Sequence, residues 1–156
     1  MKIIQITKGM KTIVDDEDYD LAMQYPWHAT RSGSRWYARH TVVTDEHRWE
    51  LWLHNLIMKP PEGMEVDHRN RDGLYNIRSN LRLCTRSQNL ANRQSANASG
   101  YRGVDRKPNG TWRARIVCNS SLIYIGTYVT VEEAARAYDR KAKELFGEFA
   151  TLNFQG

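Results

Sequence analysis

A chain of 156 residues is long enough for one ordinary domain or two small ones. Its 40% hydrophobic and 26% charged residues make a foldable composition that excludes a disordered polyelectrolyte, and no apolar run nears the roughly 20 residues that cross a bilayer. The net charge of +5 is uneven: basic and acidic residues balance at eight each over 1–60, then stand at six to four over 61–99 and nine to six over 100–156.

A basic surplus confined to the last two thirds is a weak pointer to nucleic acid. The opening stretch is interrupted by Lys8, Gly9 and Lys11, which does not suit a signal peptide, so the expected location is cytoplasmic, with no membrane partner. Cys84 and Cys118 are predicted to be reduced, unpaired and structural, and are too few for a four-cysteine zinc site.

In chain order, Ile3, Ile4 and Ile6 followed by Ile13 and Val14 alternate around Gly9 as in a β-hairpin. The acidic opening of DDEDYDLAMQY suits the positive end of a helix, which Pro26 closes. Residues 27–43 predict two strands around Ser32-Gly33-Ser34. RWELWLHNLIM predicts a strand or short helix, and Trp27, Trp36, Trp49 and Trp52 are expected in the core of a small sheet. EVDH and LRLC then read as strands on either side of a long polar loop, and a helix begins at Thr85, whose capping-box partner is Gln88. The small polar run 94–99 reads as a linker. Residues 101–128 predict three short strands. A second capping box, Thr130 with Glu133, opens a helix to about Phe146 that stops at Gly147 and lays Ala134, Tyr138, Ala142 and Leu145 on the sheet.

The segment VDHRNRDGLYNIRSNLRLCTRSQNLANR concentrates the chemistry. Hydrolysis of a phosphodiester needs a base for water, stabilisation of the departing 3′ oxygen and tolerance of charge at phosphorus, and a histidine beside a carboxylate metal ligand can meet all three. Asp67 and His68, adjacent on a strand, point to opposite faces. Asn89 on the following helix is the leading second oxygen ligand, and oxygen donors favour Mg²⁺ or Mn²⁺ over Zn²⁺.

This segment resembles the HNH endonuclease motif in the form D-H-x-N, N-L-R and a final Asn. The resemblance implies a ββα-metal unit in which His68 is the general base, Asn80 the central asparagine that fixes the loop, and Asp67 and Asn89 the ligands of a divalent metal ion. Arg93, one turn beyond Asn89, would steady a phosphate, and Asn92 is a rival to Asn89. The loop departs from the family's L-D-N-R, reading Leu74-Tyr75-Asn76-Ile77. His54 sits in a family-like L-H-x-L-I setting, where a packed, hydrogen-bonded histidine is favoured over a ligand.

The last third is similar to the AP2 domain: YRGV, G-x-W-x-A-x-I, I-G-T-Y, EEAARAYD and A-x-L-N-F occur in the family's order. That resemblance implies a three-stranded antiparallel sheet with one helix, its open face in the DNA major groove. Alternation turns Trp112, Ala114 and Ile116 toward the helix and leaves Arg113 and Arg115 outside. Arg102, Lys107 and Tyr124 occupy other DNA-facing positions of the resemblance. Asp105 stands where plant members commonly carry arginine, and Asn109 where they carry a groove-facing tryptophan, so the docking mode carries over but not the sequence read.

Residues 1–60 resemble the leader of HNH–AP2 fusions of phage or mobile-element homing endonucleases. The expected architecture is α+β: an HNH nuclease domain over 1–93 (a supporting sheet in 1–60, the ββα-metal motif in 64–93), a linker over 94–99 and an AP2-like DNA-binding domain over 100–154. The implied activity is metal-dependent cleavage of double-stranded DNA by a monomer or homodimer. The alternative is a non-catalytic DNA-binding regulator with a degenerate HNH scaffold.

Overall fold

The computed structural model describes residues 1–93 and 97–154. It divides into two compact units, Met1–Thr85 and Arg86–Gly156. The sequence reading puts the boundary after residue 93, whereas the structure groups the helix following LRLC with the second unit. Residues 94–96 of the expected linker lie outside the described residues. The side chains of Asn97 and Ser99 both donate to the carbonyl of Val104, at 3.1 and 2.8 Å, which ties 97–99 to the second unit.

In the first unit β1 (Lys2–Gln5) and β2 (Lys11–Val14) form the predicted hairpin. The acidic run gives less helix than expected: a 3₁₀ turn over Asp16–Asp18 and one α turn, α1 (Tyr19–Ala22). The indole of Trp27 donates to the carbonyl of Ala22 at 2.8 Å and ends α1 there. Strands β3 (His28–Ser32), β4 (Arg35–Val43) and β5 (Arg48–Trp52) form an antiparallel sheet. RWELWLHNLIM resolves into both of its expected forms, β5 and then α2 (Leu53–Met58).

Next come β6 (Glu65–His68), β7 (Tyr75–Asn76) and β8 (Leu81–Cys84). β6 and β8 pair antiparallel. The short β7, which the sequence left inside a polar loop, adds parallel to β2. The core gathers Val14, Trp27, Ala38, Leu53 and Leu81, with Trp36 packed against it. Val14 and Leu53 are wholly buried, each contributing about 1.5–3 kcal/mol. The expectation of four core tryptophans is corrected: Trp52 is half-buried and Trp49 is exposed.

The second unit opens with α3 (Arg86–Ala91), followed by β9 (Val104–Arg106), β10 (Trp112–Cys118), β11 (Ser121–Tyr128) and α4 (Val131–Phe146). The sheet order is β11-β10-β9, antiparallel throughout. Thr130 and Glu133 form the reciprocal capping box of α4. The helix buries Ala134, Ala135, Tyr138, Ala142 and Phe146, and Ala114 and Ile116 of β10 are buried as alternation requires. Gly103, at φ 70, admits the Tyr138 ring; a Cβ there would lie 2.2 Å from it. α3 belongs to this packing through Ser87, whose Oγ accepts from the Asn119 backbone N–H at 3.0 Å. Both cysteines are free, and burial pushes the Cys84 thiol up to about 12, so it stays an unreactive thiol. No described helix is long and apolar enough to cross a membrane.

Candidate active site and DNA-facing sheet

The antiparallel register sets Asp67 opposite Arg82 and His68 opposite Leu81. Asp67, His68, Asn80 and Arg82 are all buried polar residues. Such groups need internal partners. Arg82 supplies one, donating from Nε and Nη2 to Asp67 Oδ2 at 2.9 and 2.8 Å. His68 meets another across the loop: its Nε2 lies 2.9 Å from Asn76 Oδ1. Burial lowers the basicity of His68, opposed by the Asn76 hydrogen bond and the charges of Asp67 and Asp72. The ring is therefore neutral at neutral pH, the form a general base requires.

Aromatic side chains wall the histidine. The His54 ring stands edge-on to His68 at 5.1 Å, and Tyr37 lies 5.8 and 5.9 Å from the two imidazoles. Burial, and then His68, push His54 down to about 3. Its Nδ1 is buried with no hydrogen-bond partner among the described residues, so this histidine is packed, as expected, but not satisfied at that nitrogen. Gly73 brings the loop against β4; a Cβ there would sit 2.4 Å from the Trp36 carbonyl and from the Tyr37 ring.

Asn80 clasps the loop that connects the two strands. Its Nδ2 donates to Asn70 Oδ1 at 3.0 Å and to the Tyr75 carbonyl at 2.7 Å, and its Oδ1 accepts from the Asn70 backbone at 3.0 Å. From outside, Arg78 anchors the loop to an acidic cluster. Its backbone N–H donates to Asp15 at 2.7 Å and its guanidinium pairs with Asp18 at 2.7 Å and Glu17 at 3.0 Å. Of the clustered Asp15, Glu17 and Asp18, the last two thus pair with the Arg78 guanidinium and the first with its backbone. These contacts organise a loop that lacks the family's Asp and Arg.

Asp67, His68 and Asn80 are thus brought together in the first unit, while Asn89 and Arg93 belong to the second. On α3 Asn89 is half-buried, and its rival Asn92, just past the end of that helix, is buried. On the AP2-like sheet, Arg113 and Arg115 share the open face, and both reach Asp105, at 2.7 and 3.0 Å. The Arg113 guanidinium holds the Asp105 carboxyl below the usual carboxylate range, and Arg115 adds to it. Tyr124, opposite Arg115, is 62% exposed and bonds Thr127 at 2.8 Å. Lys107 lies half-buried at the β9–β10 turn. Arg102 turns inward instead: its guanidinium donates to Tyr138 Oη at 2.7 Å, to the Leu90 carbonyl at 3.1 Å and to the Arg93 carbonyl, an internal anchor where a DNA-facing residue was expected.

Sequence reasoning named neither Thr12 nor Arg78, gave Arg82 only as the last residue of N-L-R with no partner, and did not foresee the bond from His68 to Asn76. The first three lie 15 to 64 residues from their partners, and no local pattern announces such pairs.

A buried histidine beside a carboxylate on one strand, joined in the chain to a basic antiparallel sheet, defines a class: a nuclease-type site coupled to a nucleic-acid-binding module. Residues 59–91 match the family model of the HNH endonuclease and residues 99–148 that of the AP2 domain. A protein of Acanthamoeba polyphaga mimivirus named as an uncharacterized HNH endonuclease is 33% identical over 150 residues, 94% of this chain and 76% of that protein. The chain belongs to the HNH endonuclease family. An ethylene-responsive transcription factor of Arabidopsis thaliana is 36% identical over 94 residues, and a second is 51% identical over 63; the chain spans only 58% and 15% of their lengths.

Proposed function

We propose that the protein is a DNA endonuclease that hydrolyses phosphodiester bonds with a divalent metal ion, uses His68 as general base and is placed on double-stranded DNA by its AP2-like sheet. The observation that carries this reading is the setting of His68: buried, neutral, bonded at Nε2 to Asn76 and adjacent to Asp67. His68 takes a proton from water, the water oxygen attacks phosphorus, and the bond from phosphorus to the 3′ oxygen breaks, the leaving oxygen regaining a proton from solvent. Asp67 is the proposed carboxylate ligand of the ion, and Asn89 is retained from the sequence as the candidate carboxamide ligand; each is a donor type that suits Mg²⁺ or Mn²⁺. When bound, the ion supplies Lewis acidity at the phosphoryl group. Asn80 keeps the loop in the shape that presents His68.

The nuclease part is read as 1–93 and the AP2-like part as 100–154; the family matches at 59–91 and 99–148 support one module in each, while the fold groups residues from Arg86 on with the second unit. Arg113 and Arg115 read base edges, with Tyr124 and Lys107 beside them and Arg93 on a phosphate. A mobile-element setting suits such a site-directed nuclease.

A non-catalytic DNA-binding regulator is favoured by one observation: Arg82 already neutralises Asp67 in the interior. Supercoiled plasmid incubated with Mg²⁺, Mn²⁺ or EDTA decides between them. Nicked or linear product with metal and none with EDTA is expected. Intact plasmid, with a protein that still shifts DNA on a gel, establishes the regulator instead.

A further inference from the structure

Thr12 and Asn76 are each 0% exposed, and Thr12 has no role in the chemistry described above. Two polar side chains sealed from water need every contact they make. The polarity of those contacts is dictated from one end. The Leu74 carbonyl can only accept, so the Thr12 hydroxyl, 2.8 Å away, donates to it. The Thr12 oxygen is left as an acceptor, and Asn76 Nδ2 donates to it at 2.8 Å. The same nitrogen lies 3.3 Å from the Gly73 carbonyl, a second acceptor, which fixes the amide orientation independently. Asn76 Oδ1 therefore faces His68, and the hydrogen of that 2.9 Å bond resides on His68 Nε2.

We propose that Asn76, backed by Thr12, is a positioning residue that locks His68 in the Nε2–H tautomer, so that Nδ1 is the nitrogen carrying the lone pair. The catalytic consequence rests on the reading of His68 as the base: the proton from water is taken at Nδ1. A side-chain partner that sets the tautomer of a functional histidine fixes both its orientation and its chemistry. This also gives the amino-terminal hairpin a task beyond support. β7 is held to β2 by parallel pairing of Ile13 with Tyr75 and Val14 with Asn76, and the Ile13 N–H donates to the Leu74 carbonyl at 2.9 Å. The hairpin delivers Thr12 to the back of the catalytic loop, 62 residues away in the chain.

The direct test is two-bond ¹H–¹⁵N correlation NMR of the full-length protein labelled at histidine, which distinguishes the two tautomers of His68 without any turnover. The wild type is expected to show Nε2 protonated and Nδ1 bare. Asn76→Ala should give a mixture of tautomers and lower kcat about 10- to 100-fold, with KM for DNA little changed. Thr12→Val, nearly isosteric and the variant to rely on if Asn76→Ala does not fold, should shift the tautomer balance and lower kcat several-fold, with Thr12→Ser restoring both. A wild-type Nδ1–H pattern overturns the proposal. So does an unaltered tautomer and unaltered kcat in the folded variants. A plasmid left intact by a wild type that shows the Nε2–H pattern removes the nuclease reading while leaving the positioning role in place.

Discussion

Each unit contains an aspartate facing an arginine across two antiparallel strands: Asp67 opposite Arg82 on β6 and β8, and Asp105 opposite Arg113 on β9 and β10. The first pair is sealed, its side chains 1% and 8% exposed; the second is open, at 28% and 37%, and Arg115 shares the carboxylate. The chemistry is the same and the surroundings differ. In the interior neither charge has water to fall back on, so the pair holds as a unit and each member depends on the other. At the surface water replaces either partner at little cost, so Arg113 and Arg115 can exchange Asp105 for a base or a phosphate. One pair makes part of a framework and the other keeps two guanidinium forks ordered and available.

The contrast breaks first at its buried end. Arg82→Ala takes the paired guanidinium away from the buried Asp67 carboxylate and should cost about 3–5 kcal/mol of stability in urea unfolding. Asp105→Ala should leave the unfolding midpoint where it is. Equal losses for the two variants would dissolve the comparison.

His68→Ala separates framework from chemistry in the first unit. Turnover should fall by at least about a hundredfold, with binding of duplex DNA retained in a gel-shift assay. Unchanged cleavage by the folded variant would take His68 out of the mechanism.

The buried histidines extend the contrast to pH. Burial lowers the basicity of His54 to about 3 and that of His68 in the same direction. A depressed histidine means that the unfolded chain binds the extra protons, so the stability it contributes is present above about pH 6.5 and is lost as pH falls. For His54 alone the loss between pH 7.5 and pH 5 is about 2 kcal/mol. His54→Phe should flatten that slope, measured as unfolding midpoints across the same range, and an unchanged slope would place the proton uptake elsewhere.

The smallest effect sharpens the open pair. Asp105→Ala removes a negative charge from the DNA-facing sheet and releases two arginines. Affinity for a scrambled duplex should rise several-fold, the salt dependence should steepen by about one counterion, and preference for the specific site should narrow. Arg113→Ala should act oppositely on specific binding, lowering it about tenfold. A site preference unchanged from wild type in both variants would mean that this sheet does not read sequence.

Much of this molecule is written in short stretches of chain. The capping box of Thr130 and Glu133, the one-sided apolar face of α4 and the alternation of Trp112, Ala114 and Ile116 predicted the second unit nearly element by element, because helix and strand periodicity are local properties. Asp67, His68, Asn80 and Asn89 could be proposed from the sequence because they lie within one run of about 23 residues that resembles the HNH motif, and motif spacing, too, is a local property. DDEDYDLAMQY misled because an acidic opening permits a helix but cannot lengthen one that Trp27 ends at Ala22. Trp49 misled because hydrophobicity does not say which face of a strand meets the core.

The tertiary structure alone decided which polar groups would be closed off from water together. Thr12 with Asn76, Arg78 with Asp18 and Arg82 with Asp67 are separated by 64, 60 and 15 residues, and each partner is set by strand pairing or loop closure rather than by spacing. Arg102 was assigned outward by its motif and is drawn inward by Tyr138 and two carbonyl groups that need donors. A sequence states which side chains are capable of chemistry. Burial raises the cost of leaving any of them unpaired, and that cost, which exists only once the chain has closed on itself, selects the partners.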